Sequence, residues 1–174
     1  MMMDESILRE LGTRYDIESL RARVPKEIER EVRGFDPQVV QTDGWRVSMR
    51  ESLRDGAGRP HTRVVFDANE APDERLLVEV IECSSPADAL DALLERLAGN
   101  QLTRLPEGPV ELGFAVYEHP AEAPPAMFFA RDNVCVIIAS FGSRPTPVRD
   151  WAERVVEAIR PGGPGQRTAS GNAE

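Results

Sequence analysis

The chain has 174 residues, 41% of them hydrophobic and 29% charged, and a net charge of −9 at neutral pH. That length fits one domain with appendages, able to bury roughly two thirds of its unfolded surface. The acidic balance argues against general attraction to nucleic acid or to an anionic membrane.

Residues 4 to 33 are helical in pattern and heavily charged. Ile7, Leu8 and Leu11 give one short apolar stripe, ended near Gly12; Ile17, Leu20, Val24, Ile28 and Val32 give a second. Pro25 lies inside the second pattern and predicts a kink or a break there, because proline lacks the amide hydrogen that a helix interior needs. Glu10–Arg14 and Glu29–Arg33 are pairs in the favourable i, i+4 order. The first residues, MMMDESILREL, have no apolar core of signal-peptide length and carry acids where a signal carries bases. No apolar run approaches a membrane span, so a cytoplasmic location is expected. Twenty arginines against one lysine point to a GC-rich bacterial genome.

From Trp45 the period changes to two. Trp45, Val47 and Met49 alternate with Arg46, Ser48 and Arg50, as in a one-sided strand. Asp55 to Pro60 is a turn-rich hairpin connection, Thr62 to Asp67 a second strand and Arg75 to Cys83 a third. Ser84-Ser85-Pro86-Ala87-Asp88 announces a helix: a serine cap, proline in the first turn and an acid beside the positive end of the dipole. Leu90, Leu93, Leu94 and Leu97 form its buried stripe, and Gly99 ends it. Val110 to Glu118 reads as a fourth strand, with Val110, Leu112, Phe114 and Val116 inward and Tyr117 outward.

Met127–Ala130 and Val134–Ser140 flank Arg131-Asp132-Asn133, where Asp and Asn tolerate the positive φ of a tight turn. The last strand is apolar on both faces and should be central. A closing helix follows, with Thr146 as N-cap, Pro147 at its first position, and Val148, Trp151, Ala152, Val155, Val156 and Ile159 as its stripe. Pro161-Gly162-Gly163 stops it, and the remaining residues to 174 carry no core-forming side chain and are expected to be disordered.

The resulting expectation is an α+β domain over residues 41–160. It has an antiparallel sheet of about six strands, with helices packed mainly on one face and much of the other face wet. A charged helical arm, 1–40, precedes it and the tail, 161–174, follows. No motif along the chain carries a family resemblance.

No catalytic constellation is legible. His61 and His119 both lie beside proline in predicted loops, without zinc spacing, and Ser84 and Ser85 are explained as caps. Cys83 and Cys135, in or beside strands, are expected as buried free thiols. Neither a metal nor a cofactor is expected. Asp67, Glu70, Asp73, Glu74, Glu79 and Glu82 crowd sixteen residues, opposed only by Arg75, and are the candidate binding residues. Arg46, Arg50 and Arg63 are expected to share one polar sheet face with Glu79, Glu111 and Tyr117.

The function these features favour is a non-catalytic protein-interaction module of a bacterial cytoplasm, in a chaperone, adaptor or immunity-type role. It would use the acidic surface toward a basic protein partner, or the arm for docking or dimerisation. The alternative is an enzyme or small-molecule-binding domain with a pocket between helices and sheet. Nucleic acid and membrane are not expected partners.

Overall fold

A computed structural model describes residues 5–28, 31–100, 104–161 and 163. The disordered-tail expectation and the Glu29–Arg33 pair fall mostly or partly outside these residues. Arg33 pairs with Glu31.

The fold is α+β, built on one six-stranded antiparallel sheet of order β1-β2-β3-β6-β5-β4. The strands are β1 (Trp45–Arg54), β2 (Pro60–Ala68), β3 (Arg75–Glu82), β4 (Ala115–Glu118), β5 (Ala126–Arg131) and β6 (Val134–Ser140). They form two three-stranded meanders, joined where β3 pairs with β6. The helices are α1 (Glu5–Gly12), α2 (Ile17–Arg23), α3 (Pro86–Ala98) and α4 (Arg149–Ile159), with single 3-10 turns at Pro37–Val40 and Val110–Leu112. β6 lies inside the sheet, as its two apolar faces require. Asp132 at the β5–β6 turn has φ 47°, the conformation expected of an Asp-Asn turn.

Side chains alternate across each strand and feed two separate cores. On one face Ile81, Cys135, Ile137, Phe128 and Ala130 meet the leucines of α3, and the arm adds Leu11, Tyr15 and Leu20 on top. Three of the four described α-helices therefore share this face. The other face, carrying Phe66, Val78, Phe129, Val136 and Ile138, is not wet. α4 covers it with Trp151, Val155 and Ile159, helped by Val32, Phe35 and Val40. An amphipathic helix buries its stripe wherever apolar surface is left, and β6 offers one on each side.

The arm passes from one face to the other. α2 stops at Arg23, its C-cap Val24 extended at ψ 123° ahead of Pro25, as a residue before proline prefers. Val32 is therefore not the last residue of a helical stripe but a residue outside any helix, buried on the α4 side.

Four local expectations change. A bulge between Val47 and Met49 shifts the β1 register, so Trp45 and Val47 face the α4 core while Met49, paired with Val65, faces the other way. Arg50 consequently leaves the face shared by Arg63 and Glu79. Residues 110–112 form a 3-10 turn rather than strand, leaving Val110 79% exposed. Gly113 sits so close to β5 that a Cβ would lie 2.2 Å from the Ala130 carbonyl oxygen. Tyr117 is buried beneath the arm, its ring edge-on to Tyr15 at 4.9 Å. α4 begins at Arg149 with Val148 as a cap that offers no side-chain bond, and Thr146 is a buried loop residue instead. By contrast, Ser85 caps α3 as expected, accepting from the Asp88 amide at 3.1 Å.

Candidate functional site

The six acidic residues singled out in the sequence do not converge on one surface. Glu70 and Asp73 stand exposed in the β2–β3 loop. Glu74 is ion-paired with Arg144 at 3.1 Å, and Asp67 accepts from Arg75 Nε at 2.9 Å. Glu79 is buried and ligated on two sides, by His61 Nε2 at 2.8 Å and Arg63 Nε at 2.6 Å. Burial pushes its carboxyl up, but the bonds from His61 and Arg63 outweigh this and hold it below its ordinary value. Glu82, three residues on and so turned to the opposite face, accepts the amides of Gly34 and Phe35 at 3.0 and 2.8 Å. It fastens the arm. Asn133 completes that clasp: its Oδ1 accepts from Val32 N at 2.7 Å, while its Nδ2 donates to the carbonyls of Val32 and Cys83 at 3.0 and 2.9 Å.

His61, placed by the sequence in a loop, is a buried residue of β2 serving Glu79. His119 is half-buried, with Nδ1 2.8 Å from the Pro124 carbonyl oxygen. Burial raises the Cys83 thiol to about 12 and drives that of Cys135 higher still. Neither supplies thiolate at neutral pH. Both are free and buried.

Two surface features remain as candidates. The first is a solvent-open groove of about 550 Å3 at the start of α3, built around Arg59. Arg59 is only 7% exposed and binds Asp55 Oδ2 at 2.6 Å, Asp88 Oδ1 at 3.2 Å, and Glu95. Burial would lower the guanidinium, but Asp55 and Glu95 outweigh it and fix the positive charge. Burial likewise pushes Asp55 up, and the Arg59 amide and guanidinium more than reverse that. Asp91, also lining the groove, lacks such a set and is raised by burial. The groove's charges are thus largely spent on one another. Ser84, the other hydroxyl there, is bonded to Asp88.

The second feature is the quarter of the sheet that none of the described helices covers: the α3-side face of β1, β2 and the start of β3, exposed along β1 while His61, Val65 and Glu79 are buried. Cross-strand pairing sorts it into rows. Arg46, Asp67 and Arg75 form a charged row, with the Arg75 guanidinium 4.7 Å from the Phe141 ring centre. Met49, Val65, Leu77 and Ala139 form an apolar row, and Glu51, Arg63 and Glu79 a second charged one. Met49 is 37% exposed, Leu53 44% and Phe141 46%. The bulge created this row by turning Met49 onto the open face. A strict period-two reading of β1 conceals it, and only the mixed Arg and Glu content of β1 gave any hint.

No protein-family model matches the chain, nor does any curated protein or solved structure. Among the described residues no three His, Cys, Asp or Glu side chains are grouped to hold a metal ion, and no helix is long and apolar enough to cross a membrane.

Proposed function

We propose that this chain is a non-catalytic protein-interaction module that docks a partner on the uncovered face of β1–β3, in a chaperone, adaptor or immunity-type role in a bacterial cytoplasm. The observation that carries this reading is the pairing of a long, open edge strand with exposed Met49, Leu53 and Phe141 in one quarter of the sheet. Apolar side chains gathered on one face beside an unpaired edge favour a contact surface over chance exposure. The arm is a weaker candidate for docking or dimerisation, because Leu11, Tyr15 and Leu20 are already buried against α3. The acidic segment keeps only Glu70 and Asp73 as exposed carboxylates. The small-molecule reading draws on the Arg59 groove, whose polar groups are engaged among themselves.

Site-specific photo-crosslinking in the producing cell tests the reading. A photoreactive residue at Met49 or Leu53 should give a discrete adduct, and Leu53→Glu should weaken binding of the purified partner at least about tenfold, since one buried apolar contact is worth about 1.5–3 kcal/mol. Adducts that arise only from Glu70, Asp73 or Arg9 would move the contact to the acidic loop or the arm and refute the placement.

A further inference from the structure

We propose that the outer edge of β1 takes up an extended segment of a partner protein as a seventh strand, one with acidic residues spaced four apart on one face and apolar residues on the other. This rests on the interaction reading above and gives the partner its chemistry.

The sheet has two edges and they differ. β4 has four residues, and its outer side is already occupied. Gly108 N donates to the Val116 carbonyl at 3.0 Å, Glu118 N to that of Pro106 at 3.1 Å, and Glu107 bridges to Tyr117. β1 has ten residues and pairs, among the described residues, only with β2. Such an edge is a template for another strand unless something blunts it. The bulge disturbs only its beginning. From Met49↔Val65 to Arg54↔Pro60 the register is regular, which leaves a six-residue pairing edge with open backbone groups.

Its side chains specify the visitor. Met49, Glu51 and Leu53 lie on the open face, while Arg50, Ser52 and Arg54 lie on the other. Arg50 is shared with Asp36 at 3.3 Å, and Arg54 donates to the Gly58 carbonyl at 2.6 Å; both stay exposed. A second copy is a poor occupant. Two-fold antiparallel pairing centred on Arg50 sets that residue against itself. Centring on Ser52 sets Arg50 against Arg54, and centring on Glu51 opposes two glutamates. Like charges directly opposite are destabilising. An acidic strand instead meets Arg50 and Arg54 with carboxylates four residues apart and lays apolar residues beside Met49 and Leu53. The chain's net charge of −9 opposes such a partner at long range, so selection is made at contact rather than by encounter rate.

The test titrates a labelled peptide, Val-Glu-Val-Thr-Val-Glu-Val, into the full chain beside a version with lysine in place of both glutamates. The acidic peptide should bind about tenfold tighter, from two cross-strand charge pairs made favourable rather than repulsive. Backbone amide shifts should be confined to Met49–Arg54 and its partner strand. Arg50→Glu combined with Arg54→Glu should reverse the preference with only a small drop in melting temperature, since the Asp36 pair and the Gly58 bond that are lost are both exposed. Equal binding of the two peptides, or shifts centred elsewhere, would overturn the proposal. So would displacement of the acidic peptide by an equimolar DNA oligonucleotide, which would make the edge a general anion surface. Photo-adducts from Leu53 together with indifference to peptide charge would leave the interaction reading standing and remove only the acidic strand. Absence of those adducts would instead remove the reading itself.

Discussion

Trp151 stands between Trp45 and Phe66, with ring centres 5.3 and 4.9 Å away, and is 5% exposed. Its indole thereby meets an aromatic ring on each of β1 and β2. Trp151→Ala should therefore cost about 3–5 kcal/mol, a range typical of buried aromatics. Urea denaturation read by circular dichroism measures it, and a midpoint matching wild type would remove Trp151 from the core. Its place was legible in the sequence because position 151 falls on a stripe of helical period. Asn133 was not legible. An Asn beside Asp in a hairpin satisfies turn chemistry so well that nothing reveals its second task, three hydrogen bonds to backbone at Val32 and Cys83. The bonds of Glu82 were hidden for the same reason: its partners, Gly34 and Phe35, lie 48 and 47 residues upstream. Charge in a sequence shows where a carboxylate is and not what it faces.

Elements were read better than the contacts between them. Most strands carried a period-two or fully apolar signal, and α3 announced both of its ends, because caps and stripes are local features. β1 defeated the method at a single residue. One inserted position reverses the face of everything after it, and no residue type in Val47-Ser48-Met49 marks the bulge. The fourth strand failed differently: Pro109 and Gly113 bracket residues whose alternation mimics a strand, and the close approach to Ala130 decides the backbone path. The arm's crossing segment yields its own prediction. Asn133→Ala leaves the Val32 amide and two carbonyls without partners, at about 1–3 kcal/mol for each buried group left unsatisfied. Amide exchange at residues 31–36 should then speed up while the sheet amides of β3 and β6 stay protected. Uniform exchange across the whole chain would show that the arm and sheet unfold together and that the clasp is no separate unit.

At the scale of the whole molecule, the ion pairs outside and the two cores inside meet in a common dependence on pH. Asp55, Asp67 and Glu79 are each pushed up by burial, yet held below their ordinary values by Arg59, by Arg75 and Ser48, and by His61 and Arg63 respectively. A carboxyl with a depressed folded-state pKa contributes stability that is complete above its unfolded value and lost as the folded-state value is passed on acidification. The unfolded chain binds more protons there, so stability must fall as pH drops below 4.5 for Glu79 and then below 3.8 for the two aspartates. Asp91 has the opposite sign. Burial raises it, so its charged form weakens the fold at neutral pH and that penalty disappears as acid protonates it. Two substitutions separate the contributions. Glu79→Gln should lower stability at pH 7, by leaving Arg63 and His61 without their carboxylate, and should flatten the decline below pH 4.5. Asp91→Asn should raise stability at pH 7 and steepen the net decline toward acid, because the gain that wild type makes on protonating Asp91 is gone. Denaturant midpoints for the three proteins between pH 3 and pH 7 check both, and an acid limb for Glu79→Gln as steep as that of wild type would place the loss of stability in some other carboxylate.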